Sequence, residues 1–527
     1  MPARHILVLL SLPLLYLAAE IYLRGVAGPF WQWNLLDPAY FYLLDSLNLI
    51  GGLPPGHAAH PGITVDTFGA VVLTLSELGR DAAGLIDVVL DNPETYLAKL
   101  STSYLVLNSI VLAALGYAAY WAFGAVLPAM VCQLAPFMST IVLKHAFLPK
   151  PEAMLIAVTM VLIATATTAI RTQDTRKLAI AFGIVAGFGL ATKVTAAPIF
   201  VLPLFLLSNL RMVILYGLVS VLAFGIFFLP GIGAFEEFAK WMVYVAKGSG
   251  AHGAGPQTFI DVSQYPKAVV KILKRPALKV PLILALLTLL LAVWRFRRDR
   301  ALPGMELRLL LGVTATQIMH VLFVAKQPAA FYLIPSYMLS ALSILLSARL
   351  LWRMKPGHWP LKVSGTAAGC IFLVVFVVAQ VNGVKRLEGH FRQHNRSAMS
   401  VDNQIFEQCA RIYIYAASSP VFALFLADRV TGLRHSAALA RHYPGANYWV
   451  EDWYDQDKFE LRNWQGRQDF KKIRDAYPCL YFRGNRRAGL ITYLKRVAPN
   501  MNYETKCSAP PEMIATVNVT CQGEVTP

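Results

Sequence analysis

An acid beside two tyrosines, a histidine–proline turn and a scatter of lysines are the residues of this chain whose types and spacing suit chemistry. The stretch Asn34-Leu-Leu-Asp37-Pro38-Ala-Tyr40-Phe-Tyr42-Leu-Leu-Asp45 puts Asp37 just ahead of a proline that fits the first turn of a helix, and helical spacing sets Tyr40 one turn on. Asp37 is therefore either an N-cap accepting backbone N–H bonds or a base that takes the proton of a hydroxyl or amine attacking a sugar carbon. Tyr42 lies on the same segment. Downstream, Gly56-His57-Ala-Ala-His60-Pro61-Gly62 reads as a break between two interfacial helices, with His60 equally a turn residue and a candidate ligand contact.

Cations come from other segments. Lys144-His145-Ala-Phe-Leu-Pro-Lys150-Pro151-Glu152-Ala-Met closes one apolar run and opens the next. Glu152 there interacts with a helix N-terminus whatever else it does, and lysines at a span end can simply snorkel to water. Gly187-Phe-Gly189-Leu-Ala-Thr192-Lys193 and Ala325-Lys326-Gln-Pro-Ala-Ala-Phe331-Tyr332-Leu-Ile-Pro335 each add one more cation. Such lysines, gathered from separate segments with Tyr332 alongside, suit a phosphate diester held near a bilayer surface.

The elements that must position these residues are membrane helices. Of 527 residues 56% are hydrophobic and 15% charged, and the mean hydropathy is +0.50. That mixture excludes a water-soluble globule, a disordered chain, a coiled coil and a disulfide scaffold. A span needs about 20 largely apolar residues. Eleven are expected, near 5–23, 101–123, 125–143, 152–170, 178–193, 195–210, 212–230, 279–294, 307–325, 331–350 and 361–381. The first is expected to be a signal anchor, with no convincing cleavage site. Segment 63–79 is apolar but carries Asp66 and Glu77, so it is expected to lie at the surface. Leaving it out puts the basic clusters at 171–177, 295–300 and 349–362 on the side of the N-terminus, the cytoplasmic side. Outer loops then run over 24–100 and 231–278, the second of which is unexpectedly basic. The net charge of +18 is accounted for by orientation and by anionic membrane lipids, and no basic stretch has the pattern of a nucleic-acid site.

Past residue 381 the composition turns polar and aromatic. Strand-like runs at 411–415, 448–450 and 479–482 alternate with helical patterns near 420–431, 467–476 and 487–497, so 382–527 is expected to be a small extracytoplasmic α/β domain after a transmembrane module over 1–381. Four of the six cysteines fall in it, which suits one or two disulfides on an oxidising side.

Taken together these stretches resemble the C-type glycosyltransferase superfamily, polytopic enzymes that use polyprenyl-phosphate sugars, such as dolichyl-phosphate-mannose protein mannosyltransferases and lipid A aminoarabinose transferases. The likeness rests on Asp37, Tyr40 and Tyr42 in the first loop, the His60-Pro61 turn, Pro149-Lys150-Pro151-Glu152 opening a span, 187–193 and 326–335, and it covers about residues 1–381. It implies that Asp37 is the acceptor's base or orienter and that Lys193 and Lys326 contact the donor phosphate. Many relatives carry two adjacent acids where this chain has Asp37-Pro38, and His-Pro-Pro where it has His60-Pro61-Gly62. The missing second acid argues against a metal in the first loop, so no cofactor is expected.

The implied reaction is transfer of a hexose or pentose from a polyprenyl-phosphate donor to an envelope glycan, a lipid or a protein on the outer face, with inversion. Absence of an obvious retention signal and Ala/Gly-rich spans favour a bacterial inner membrane. The rival reading is a transporter or flippase of lipid-linked sugar, which ordinarily carries mid-membrane charge on broken helices and repeated halves. Here ionisable groups gather at one end of the spans.

Overall fold

The computed structural model describes the chain except His60, Gln173, Ser208, residues 251–254, 300–303, 355–360, 401–406, 415–416, 445–446, 452–460 and 485–486, Lys506 and 520–527, and except the side chains of 33–38, 297–299, 361–373, 400 and 487–488. Two compact units divide it. One comprises Met1–Tyr22, Ala58–Thr67 and Ser101–Arg386, the other Leu23–His57, Phe68–Leu100 and Leu387–Pro527. Residues 23–57 and 68–100 thus belong with the C-terminal segment in one unit.

Among the described residues eight helices are long and apolar enough to cross a membrane: Ala3–Ala27, Pro93–Phe123, Pro151–Thr168, Thr175–Thr192, Leu210–Lys247, Pro276–Phe296, Gly304–Ala325 and Ala330–Arg353. Each matches an expected span. The expected span over 125–143 is not one regular helix. It is Val126–Gln133, a 3-10 turn Ala135–Met138 and Thr140–Ala146, because Pro136 has no N–H to give and Ser139 starts a new helix by accepting from Ile141 N at 3.3 Å. The expected span over 195–210 is a 3-10 helix, Val194–Phe205, interrupted by Pro198 and Pro203. The expected 361–381 lies within Leu361–Ser400. Ile63–Ser76, with 14 residues, is about 21 Å long and too short to cross about 30 Å of hydrocarbon.

In the first unit the helix that ends at Lys193 is set by close packing of small residues. A Cβ on Gly183 would stand 2.7 Å from Val219 and one on Gly187 2.5 Å from the backbone nitrogen of Phe224. This Gly-xxx-Gly face lets Thr175–Thr192 lie directly against Leu210–Phe228, where van der Waals contact rather than hydrophobic transfer drives helix association.

The second unit holds a six-stranded sheet in the order β4-β3-β2-β1-β5-β6. Its strands are β1 Ala410–Tyr413, β2 Tyr448–Glu451, β3 Leu461–Asn463, β4 Gly466–Gln468, β5 Leu480–Gly484 and β6 Met513–Val517. β1 runs parallel to β2 and β5, and the remaining pairs are antiparallel. Ile412, Trp449, Phe470, Ile473, Leu480, Phe482 and Leu494 form its core. Cys409 and Cys479, each one residue ahead of a central strand, form a disulfide. The α/β character expected of the C-terminal segment is present, and helices Pro420–Val430, Phe470–Ala476 and Arg487–Val497 fall where the pattern puts them. Helix Ser436–His442 and strands β3, β4 and β6 add to it.

Candidate functional site

In the first unit the start of Pro151–Thr168 and the end of Thr175–Thr192 bring Lys150, Glu152 and Lys193 together. Pro151 at the first helical position suits the turn, and Lys150 and Lys193 are the extended residues at the helix start and end. Lys193 Nζ pairs with Glu152 Oε1 although the residues are 41 apart in sequence. All three side chains are buried, Lys150 at 5%, Glu152 at 2% and Lys193 at 4% exposure. Lys150, Lys193 and His145 all lie within electrostatic reach of Glu152.

Aromatic rings wall this cluster. Lys193 Nζ stands 5.5 Å from the centre of the Phe331 ring and 4.9 Å from that of Tyr332, and Lys150 Nζ 5.7 Å from Phe331. His145 packs on the same Phe331 ring at 5.4 Å. Ring faces attract cations, more so where water is excluded. Among the described residues the cluster brings Lys150 and Lys193 to the Glu152 carboxylate beside aromatic rings, a setting that suits a phosphate.

The turn after His60 docks on this place. Pro61 makes a β-bridge with Lys193, Gly62 N donates to Thr192 O at 3.2 Å, and Gly62 has φ +77°, a left-handed conformation natural to glycine. Thr192 Oγ1 donates to Phe188 O, so the Thr64 hydroxyl 2.7 Å away donates to Thr192. His60 itself lies outside the described residues. Lys326 is half-buried and engaged by another part of the unit: its Nζ donates to Ala246 O at 2.7 Å and lies 4.4 Å over the Phe259 ring.

The first-loop residues belong to the second unit. Asp37 lies inside helix Trp33–Ile50, whose N-cap is Gln32, so it is not the helix cap its place before Pro38 suggests; its side chain is outside those described. Tyr40 is fully buried, and its hydroxyl donates to Glu94 Oε1 at 2.7 Å. Burial and the Glu94 charge push the Tyr40 phenol well above its usual pKa. Glu94 also accepts from the backbone nitrogens of Phe30 at 2.8 Å and Trp31 at 3.0 Å, fixing the entry into the helix. Tyr42 is buried with its ring 5.8 Å from that of His57. Asp45 fastens the following loop by accepting from Asn48 Nδ2 at 2.9 Å, Gly56 N at 2.7 Å and His57 N at 3.0 Å. Neither the Glu94 clamp nor the use of Phe331 as a shared ring surface was expected from sequence. The only local trace of the first is an acid directly after Pro93 at a helix start.

Among the described residues no group of three or more His, Cys, Asp or Glu could hold a metal ion.

Fold and site define a polytopic helical membrane protein with a small disulfide-linked α/β unit and a buried cluster of charged residues at the helix ends. No family model matches the chain, and no curated protein does. The chain is similar to one solved structure, described as the crystal structure of ArnT from Cupriavidus metallidurans bound to undecaprenyl phosphate, with 13% identity and a TM-score of 0.45 over 96% of this chain and 98% of that one.

Proposed function

We propose that the chain is a membrane glycosyltransferase that takes a sugar from a polyprenyl-phosphate donor and that Lys150 and Lys193 bind the donor's phosphate. The observation that carries this reading is that Lys150 and Lys193 are buried together at the Glu152 carboxylate, beside the Phe331 and Tyr332 rings. Buried lysines at the ends of apolar helices, with aromatic rings beside them, support binding of a lipid-borne phosphate. The sequence resemblance points the same way.

In the reaction the acceptor oxygen or nitrogen attacks the anomeric carbon as the bond from that carbon to the phosphate oxygen breaks. The electron pair leaves on the polyprenyl phosphate, whose growing charge the lysines stabilise. The acceptor's proton passes to a carboxylate, for which the resemblance offers Asp37. In-line displacement inverts the anomeric centre. A lipid monophosphate leaves with its charge held by lysines, so the reading needs no metal. The acceptor is a glycan, a lipid or a protein of the envelope, reached on the outer face of a bacterial inner membrane. His60, Tyr42 and Tyr332 are each proposed as substrate-binding residues, and Lys326 to contact the donor.

Mass spectrometry of envelope glycans and glycolipids from cells with and without the protein tests the reading. One missing sugar unit, restored by the wild-type chain and not by Asp37→Asn, is expected. Identical profiles would contradict transfer, and full restoration by Asp37→Asn would remove Asp37 from the reaction.

A further inference from the structure

Three lysines in the loop before the span Pro276–Phe296 have no role in the reading above. Helix Tyr265–Leu273 carries Lys267, Val270 and Lys271 at positions i, i+3 and i+4, and Lys274 follows at i+7 as its C-cap. These spacings put all four on one face. Pro266, Lys267, Val270, Lys271 and Lys274 line a shallow cleft of about 450 Å³. The opposite face is fixed: Ala268 and Ile272 are buried, and Tyr265 Oη donates to Leu322 O at 2.8 Å. The stripe must therefore point outward.

Among the described residues no ion pair cancels the charge on that face. Asp261, within electrostatic reach of Lys267, is already engaged, accepting from Ser263 N at 2.9 Å and Ser263 Oγ at 2.6 Å. Large apolar side chains are exposed on this helix and just before it: Val270 is 51% exposed and Val262 81%.

The depth of the stripe follows from the chain itself. Lys274 and Arg275 directly precede Pro276, the first residue of the span, so the lysines stand at headgroup level with the apolar side chains toward the acyl boundary. On the orientation expected from the charge distribution this is an outer loop, where lysines are ordinarily scarce, so orientation does not explain them.

We infer that the face formed by Lys267, Lys271 and Lys274 is a docking site for the phosphate of an anionic phospholipid, with Val270 and Val262 against its glycerol and acyl portion. The lipid is bound as a fixed neighbour of the span and is separate from the donor held by Lys150 and Lys193. The inference stands on the helix and its charges, independent of the proposed transfer.

The full chain is reconstituted in nanodiscs of phosphatidylcholine with one-tenth phosphatidylglycerol, and retained lipid is counted by native mass spectrometry. The wild type is expected to retain phosphatidylglycerol over its bulk share. A membrane-surface lysine contributes about fivefold to binding an anionic lipid. Single substitution Lys271→Gln should lower the enrichment by about that factor, and Lys267→Gln/Lys271→Gln/Lys274→Gln should abolish it. The triple Lys→Arg change keeps the charges and should retain it. The double variant Lys193→Met/Glu152→Gln should keep the enrichment as well, which separates this site from the donor site. Unchanged enrichment in the Lys→Gln series, or no enrichment in the wild type, would overturn the inference. If the triple variant does not fold, the single Lys271→Gln decides it.

Discussion

Glu152 and Lys193 are worth separating by mutation because a buried pair can be structural, functional or both. Glu152→Gln leaves Lys193 buried without its carboxylate, a change that typically costs about 3–5 kcal/mol. The double variant Lys193→Met/Glu152→Gln removes both charges of the pair but leaves Lys150 without Glu152, so it should recover only part of that loss. Denaturant unfolding of the full chain in detergent checks both, and a Glu152→Gln variant as stable as the parent would remove the pair from the structural argument. Asp45 offers a different test. Burial outweighs its three hydrogen-bond donors and lifts its pKa from 3.8 to about 7. A group with a raised folded-state pKa binds its proton more tightly when folded, so its contribution is complete below pH 3.8 and declines as pH rises to about 7. Asp45→Asn should remove that slope from the stability profile between those limits and should weaken the 54–57 loop, because an amide cannot accept from both Gly56 N and His57 N on separate oxygens. A slope unchanged in the variant would assign the titration elsewhere. At this level the sequence announces the individual ionisable residues next to apolar runs, Lys150, Glu152 and Lys193 among them. It does not announce that two of them pair, because no periodicity links positions 41 apart.

The turn at 61–62 and the paired β1 and β5 strands are the elements on which the two units' local geometry depends. Gly62→Ala would force a Cβ into a left-handed conformation at a cost of about 1–2 kcal/mol and loosen the bridge from Pro61 to Lys193. Lower thermal stability together with weaker polyprenyl-phosphate binding is the expected outcome, and unchanged binding would mean the turn does not position Lys193. Cys409 and Cys479 close a loop with a sequence separation of 70, so Cys409→Ser/Cys479→Ser should destabilise the second unit by about 4 kcal/mol in the chain-entropy model, read as a shifted urea midpoint. Strands β1, β2 and β5 are legible because they are runs of β-branched and aromatic residues. β3 and β4 are three residues each, and β4 is wholly exposed, so they carry no hydrophobic alternation. The eight long spans are legible from length and hydropathy alone. The broken segments at 126–146 and 194–205 are misread as regular helices because a hydropathy window does not register the loss of N–H donors at Pro136, Pro198 and Pro203.

Over the full chain, the second unit draws on three separated segments, and its first-loop part is held by its C-terminal part. Asn48 Nδ2 donates to Thr431 O at 3.3 Å, Arg434 donates to Pro54 O, and a Cβ on Gly56 would meet the Thr431 backbone at 2.2 Å. A chain ending at Arg386 should therefore expose 51–57 to proteolysis, whereas the full chain should be protected there; equal protection in both would show that the first loop folds alone. This assembly of 23–57 with 387–527 has no counterpart in a reading along the sequence, which treats loop and tail as separate stretches. What the membrane module is for turns on the lysine cluster. Titration of the reconstituted full chain with a short-chain polyprenyl phosphate, comparing wild type with a Lys193→Met/Glu152→Gln variant whose folding is checked by its unfolding midpoint, should show binding weakened at least about tenfold, the loss of one charge-assisted contact worth about 1.5–3 kcal/mol. Equal affinity in the two proteins would contradict a donor phosphate held by Lys193.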